Sequence, residues 1–191
     1  MRIAVLALQG AFIEHEQMLN SLGVETFEVR QLSDWQQPKD GVILPGGEST
    51  VQARLLSGLG LLEPIRQAIL EGLPVFATCA GLILLAKQED GKPRQALCTM
   101  DIDVRRNAYG RQLGSFHADG AVSGLTDSFP MTFIRAPYVH KVLSPEVEVL
   151  SEVDGHIVAV RQGKQIATAF HPELDDTRLH QLWLKLIDSE E

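Results

Sequence analysis

The sequence predicts an α/β fold, a three-layer sandwich in which a mixed sheet, parallel at its centre, carries helices on both faces. Three observations lead there. Short apolar runs alternate with amphipathic stretches through the first half of the chain, the pattern of strands and helices in a parallel sheet. Those runs stop at glycine or proline, as buried strands and helix ends do. The second half then changes to closely spaced strand-like runs separated by turns, which extend the parallel middle with antiparallel strands. With 191 residues, 45% of them hydrophobic and 22% charged, one domain over 1–191 is expected to enclose a substantial core.

Residues 3–8 read as the first strand and residues 11–22 as a helix stopped by Gly23, with Phe12, Leu19 and Leu22 marking its buried side. Residues 24–29 alternate as a strand, and residues 41–44 form a fully apolar one that ends at Pro45-Gly46-Gly47. Ser49 or Thr50 is expected to cap the next helix. Another helix opens near Pro64, whose ring suits a first helical position, and closes at Gly72. Val75 and Phe76 begin a strand that runs into Cys79, and residues 82–86 favour a helix. In the second half, strands are expected at 97–104, 131–134, 147–153, 156–160 and 165–170, with Asp154-Gly155 as a hairpin turn. Leu179, Leu182, Trp183, Leu186 and Ile187 recur at helical spacing, so a final helix packs on the core.

Charge and cysteine usage remove several function classes. Lysine and arginine total 17 against 25 aspartates and glutamates, a formal charge of -8, and no segment gathers a basic stripe, so nucleic acid is not an expected partner. Cys79 and Cys98 lie in unlike contexts and make no framework of bridges, which suits a reducing compartment. No apolar stretch approaches a bilayer span, and the opening strand is followed by Gln9-Gly10 rather than a signal cleavage pattern. The expectation is a soluble cytoplasmic protein without membrane contact.

The chemistry centres on Cys79, placed where a strand turns into a helix among small neighbours, Ala77, Ala80 and Gly81. A thiol on such a turn projects above the sheet, and a helix N-terminus with a nearby imidazolium favours its thiolate. A thiol packed as a small hydrophobe fits this stretch equally. A nucleophile needs a base, and the base an orienting group. Of six histidines, His15 lies between Glu14 and Glu16 and His180 in the last helix, and a solvated face is the expectation for both; His117, His140 and His156 sit in or near turns. His171 follows an apolar run, and Pro172 turns the chain so that Glu173 stands two residues on. Both His171 and Cys79 fall at carboxyl ends of strands, where open α/β sheets gather ligands. The third element, Leu44-Pro45-Gly46-Gly47-Glu48-Ser49-Thr50, lets backbone approach a ligand at a helix start. No Gly-Lys-Ser/Thr follows, so it is not a phosphate loop, and a carboxylate or oxyanion fits it better.

Cysteine elbow, Gly-Gly loop and His-x-Glu in this order resemble the triad, or class I, glutamine amidotransferases. Within that superfamily the chain is most similar to the glutaminase subunits of pyridoxal 5′-phosphate synthase. Leu8-Gln9-Gly10-Ala11, Glu14-His15, the 44–50 loop, Thr78-Cys79-Ala80-Gly81-Leu82, Arg106-Asn107, Tyr109-Gly110-Arg111-Gln112, Phe133-Ile134-Arg135-Ala136-Pro137 and Phe170-His171-Pro172-Glu173-Leu174 carry the likeness. The resemblance implies Cys79 as nucleophile, His171 as general base and acid, and Glu173 as its orienter. It implies Gly46, Gly47, Glu48, Arg106, Ile134 and Arg135 as glutamine contacts, and the amides of Gly47 and Ala80 as an oxyanion hole. It further implies L-glutamine as substrate, no cofactor or metal, and, as the partner that receives ammonia, the barrel-shaped synthase subunit of pyridoxal 5′-phosphate synthase. The nearest alternative is the glutaminase of another amidotransferase, such as imidazole glycerol phosphate synthase; a non-catalytic glutamine-binding module and a simple thiol hydrolase stand further off. One departure is Ala77, where the family's elbow usually has glycine two residues before the cysteine; alanine there requires an ordinary φ.

Overall fold

A computed structural model describes residues 1–106 and 114–189. Its framework is β1 (Arg2–Leu6), α1 (Phe12–Ser21), β2 (Glu25–Val29), α2 (Leu32–Trp35), β3 (Gly41–Leu44), α3 (Ser49–Gly58), α4 (Leu62–Leu70), β4 (Val75–Thr78) and α5 (Ala80–Leu85). There follow β5 (Ala86–Glu89), β6 (Lys92–Pro93), β7 (Met100–Arg105), β8 (Ser115–Gly120), β9 (Phe129–Ile134), β10 (Tyr138–Val142), β11 (Val147–Val153), β12 (His156–Gln162), β13 (Gln165–Thr168) and α6 (Arg178–Asp188). Asn107 and the Tyr109-Gly110-Arg111-Gln112 stretch lie outside the described residues.

The main sheet runs β2-β1-β3-β4-β13-β12-β10-β7-β5-β6, with β11 added to β12, and β8 and β9 pair separately. Strands β2, β1, β3, β4 and β13 are mutually parallel. From β13 to β12 the sheet turns antiparallel and stays so through β10 and β7. It is therefore the mixed α/β sheet expected, parallel in the middle. The reason is legible in burial: every residue of β3 and β4 is buried, as a strand covered on both faces must be, so both read as unbroken apolar runs. Phe76, Ile43, Leu44 and Phe170 are wholly enclosed at this centre.

Several boundaries differ from the sequence expectation. The third helix is capped by Glu48, not by Ser49 or Thr50: its carboxylate accepts from the amides of Thr50 and Val51. Pro64 sits at the third position of α4, still within the first turn where no intrahelical donor is lost. Cys98, expected within a strand, precedes β7 in irregular backbone at φ 52°, with its thiol 3.5 Å from the Arg94 carbonyl. His117 and His140 lie within β8 and β10, strands whose alternating, half-exposed pattern is too polar to stand out in the sequence. The Asp154-Gly155 hairpin forms as expected between β11 and β12, with φ of 51° and 75° at its two turn residues. Among the described residues, no helix is long and apolar enough to cross a membrane.

Candidate active site

Three segments far apart in sequence meet at the carboxyl ends of β3, β4 and β13. At the end of β4 the chain turns sharply: Cys79 adopts φ 48° and ψ −98°, outside the usual regions for a side-chain-bearing residue. Conformations of this kind cost roughly 1–3 kcal/mol and persist where surrounding bonds over-determine them. Here the Cys79 amide donates to the Thr168 carbonyl at 2.8 Å, and the Ile83 amide donates back to the Cys79 carbonyl at 3.3 Å. Gly81 lets α5 approach β3, because a Cβ there would lie 2.2 Å from the Leu44 carbonyl oxygen. Ala77 lies inside β4 and is not among the positive-φ residues, as its methyl group requires.

His171 leaves β13 three residues after its end, its amide donating to the Thr132 carbonyl at 2.9 Å. Pro172 starts a single 3-10 turn over Pro172–Leu174, which folds Glu173 back beneath the ring. The His171 Nδ1 to Glu173 Oε1 distance is 2.6 Å, and both residues are almost wholly enclosed. Burial pulls the His171 pKa down, but hydrogen bonds to Cys79 and Glu173, with the charge on both, outweigh it and raise the pKa to about 10. At neutral pH the ring is an imidazolium, with Nδ1 committed to the carboxylate and the sulfur near enough for its charge to favour the charged ring. Cysteine, imidazole and carboxylate thus form one connected relay.

The glycine loop closes the other side. Gly46 can approach the ring only because it lacks a side chain: a Cβ would stand 2.4 Å from His171 Cε1 and 3.4 Å from Cys79 Cβ. The Gly46 amide donates to Thr78 Oγ1 and its carbonyl accepts from the Ala11 amide, each at 3.0 Å, so both flanking peptides are pinned. Among the described residues, neither the Gly47 amide nor the Ala80 amide has an acceptor within the chain, which leaves two donors near the sulfur for a developing oxyanion.

These parts open onto one cleft of about 390 Å³, lined by Cys79 and His171 together with Gly46, Gly47, Glu48, Arg106, Ile134 and Arg135. All six residues that the resemblance assigns to glutamine are therefore brought together with the sulfur. The cleft pairs two guanidinium groups with the Glu48 carboxylate and the Ile134 carbonyl, which lies 3.9 Å from Cys79 Sγ. That combination suits a zwitterion carrying a carboxylate and an ammonium group.

Comparison with known proteins agrees with this geometry. Residues 5–189 match the SNO glutamine amidotransferase family. The chain belongs to that family. Proteins named pyridoxal 5′-phosphate synthase subunit PdxT are 58% identical over 189 residues in Methanocorpusculum labreanum, covering 98% of both chains, and 52% identical over 190 residues in Streptococcus pneumoniae, covering 97% of both. A solved structure described as a glutamine amidotransferase superposes with a TM-score of 0.91 at 45% identity, over 98% of this chain and 99% of that one. A glutamine amidotransferase from Thermotoga maritima, 15% identical with a TM-score of 0.65 over 98% of this chain and 82% of that one, shares the fold alone.

Within this glutamine amidotransferase architecture, the structure corrects two expectations and adds residues that sequence reading passed over. His15 and His180 do not lie on solvated faces; both are fully buried. His15 stands three residues after Phe12 and four before Leu19, on the stripe that marked the buried side of α1, and His180 stands three before the buried Trp183. That helical spacing was the available signal. Beyond α5, β5 and β6 pair as an antiparallel hairpin. From it Glu89 meets Arg106 Nε at 2.6 Å and also pairs with Arg94. Arg106 further donates to Thr50 Oγ1 at 3.0 Å.

Proposed function

We propose that this chain is the glutaminase subunit of a pyridoxal 5′-phosphate synthase, hydrolysing L-glutamine to L-glutamate and ammonia and supplying the ammonia for vitamin B6 synthesis. The observation that carries the reading is the convergence of Cys79, His171 and Glu173 in one buried relay beside two free backbone amides. In this account residues 1–191 act as one cytoplasmic glutaminase domain, and the ammonia passes to a barrel-shaped synthase subunit.

The Cys79 sulfur, its negative charge balanced by the His171 imidazolium, attacks the side-chain amide carbon of glutamine. The amide oxygen becomes an oxyanion facing the Gly47 and Ala80 amides. His171 gives its proton to the departing nitrogen, ammonia leaves, and a γ-glutamyl thioester remains. His171, now neutral, takes a proton from water as that water attacks the thioester carbon; glutamate departs and the imidazolium–sulfur pair is restored. Glu173 holds the ring by Nδ1 and stabilises its positive charge throughout. Arg106 and Arg135 receive the α-carboxylate, while Glu48 and the Ile134 carbonyl receive the α-ammonium.

The test follows glutamate formation by the chain mixed with its synthase subunit. Cys79→Ser is expected to abolish turnover while keeping the fold and the docking, and a glutamine-analogue electrophile is expected to label wild type at Cys79 alone. Turnover that survives Cys79→Ser rules the account out.

A further inference from the structure

The steps above leave one buried titratable cluster unused. His15, fully enclosed in α1, does not line the cleft, yet it touches both halves of the machinery from behind. Its Nε2 lies 3.1 Å from Thr78 Oγ1 and 3.5 Å from Glu173 Oε2, and its Nδ1 lies 2.9 Å from His180 Nε2. Glu173 uses Oε1 for His171, while Oε2 is buried without a hydrogen-bond partner. Thr78 Oγ1 in turn accepts the Gly46 amide, the anchor of the glycine loop.

The tautomer follows from what each nitrogen faces. Burial, the other imidazoles adding to it, pushes the His15 pKa well down, and burial takes His180 to about 3, so each ring is neutral and carries one proton. With that proton on His15 Nε2, an N–H faces the Glu173 oxygen and the threonine hydroxyl, and His15 Nδ1 accepts from His180 Nε2–H. The groups then left over are a bare lone pair on His180 Nδ1 and the proton of the Thr78 hydroxyl. The opposite arrangement lets the Thr78 hydroxyl donate to Nε2 but leaves a buried N–H on His180 without an acceptor in its place, and it sets the Nε2 lone pair against a carboxylate oxygen 3.5 Å away, a repulsion that makes it the costlier choice.

We infer that His15 is a positioning residue: its Nε2–H, aimed between the Thr78 hydroxyl and the outer oxygen of Glu173, holds the relay carboxylate and the glycine loop in one register, with His180 setting the tautomer. A glutamate carboxylate turns broadly about its last torsion, so a contact to one oxygen alone leaves the plane presented to His171 loosely defined. The Nε2–H dipole, 3.5 Å from the second oxygen, orients it electrostatically. Because the contact lies behind the reacting atoms and outside the glutamine pocket, its loss is read in kcat and not in KM.

The inference rests on the glutaminase reading, and the experiment separates the two. With the synthase subunit bound, glutamate release is measured for wild type, His15→Leu and His15→Gln, where glutamine keeps an N–H near the reach of Nε2. His15→Leu is expected to lose kcat by about tenfold to a hundredfold with KM changed by less than about twofold, and His15→Gln to recover most of the loss. In parallel, long-range proton–nitrogen correlation on histidine-labelled wild type is expected to show His15 protonated at Nε2. Undiminished kcat in His15→Leu, equal impairment in His15→Gln, or an Nδ1-protonated His15 overturns the inference. Should His15→Leu not fold, the glutamine variant and the tautomer decide. If wild type itself releases no glutamate, the glutaminase reading fails, while the tautomer measurement still tests the contact.

Discussion

Replacing Gly46 with alanine isolates the close approach on which the relay depends. Gly46 is not among the residues with positive φ, so alanine brings no backbone penalty; the whole effect is the added methyl. That methyl would lie 2.4 Å from His171 Cε1, whereas ordinary contact begins near 3.4 Å, so something must move by 3.4 − 2.4 = 1.0 Å. The loop cannot yield easily, held by Thr78 Oγ1 on one side and the Ala11 amide on the other. The ring yields instead, away from its 2.6 Å bond to Glu173. A misplacement of about 1 Å at a reacting group costs on the order of 100-fold in rate, or ~2.7 kcal/mol of activation free energy. The assay is kcat for glutamate release with the synthase subunit bound, beside thermal unfolding. Unfolding should move little, because alanine lowers unfolded-chain entropy by about 0.4–1 kcal/mol and offsets part of the clash. Gly58→Ala at the end of α3 is the control: nothing lies within 4 Å of its added Cβ, so the rate should hold and stability rise by about 0.5–1 kcal/mol. A Gly46→Ala protein with wild-type kcat and an unmoved His171 ring would refute the reasoning.

Two further outcomes follow from the same structure. Glu89→Gln weakens the bracket on Arg106 without altering the relay, so KM for glutamine should rise severalfold while kcat stays near wild type; an unchanged KM would show that Thr50 and Glu48 suffice to hold Arg106. The buried neutral histidines predict acid lability. The unfolded chain takes up protons on His15 and His180 near pH 6.5 and the native state only much lower, about 3 for His180. Stability is therefore lost as pH falls below 6.5, by ~1.4 kcal/mol per pH unit down to about 3 for His180, with His15 acting in the same direction. Urea unfolding between pH 6.5 and 4.5 should show a gradient that His180→Leu flattens by about one such increment, and equal gradients would mean that His180 is charged in the native state. His171 acts with the opposite sign: raised to about 10, its contribution is full below pH 6.5 and is lost as pH rises through 10.

What the sequence by itself determined is local. Apolar strands covered on both faces announce themselves as unbroken runs, so β1, β3 and β4 were readable, and the small residues around Cys79 told of a turn that its φ of 48° bears out. Half-exposed strands such as β8 and β10 carry too little pattern to be read this way. Three motifs read at strand ends were enough to expect one crevice, because parallel strands bring their carboxyl ends to the same edge; His171 in fact lies three residues past the end of β13. Tertiary structure decided the rest, for a physical reason that His15 makes plain. A polar side chain on an apolar stripe is solvated or enclosed according to whether partners await it, and those of His15 stand 63 and 165 residues away, on Thr78 and His180. The same holds for Glu89, whose value lies in a guanidinium delivered by a different strand. Periodicity reports which face of an element turns inward; only the packed fold reports what that face meets.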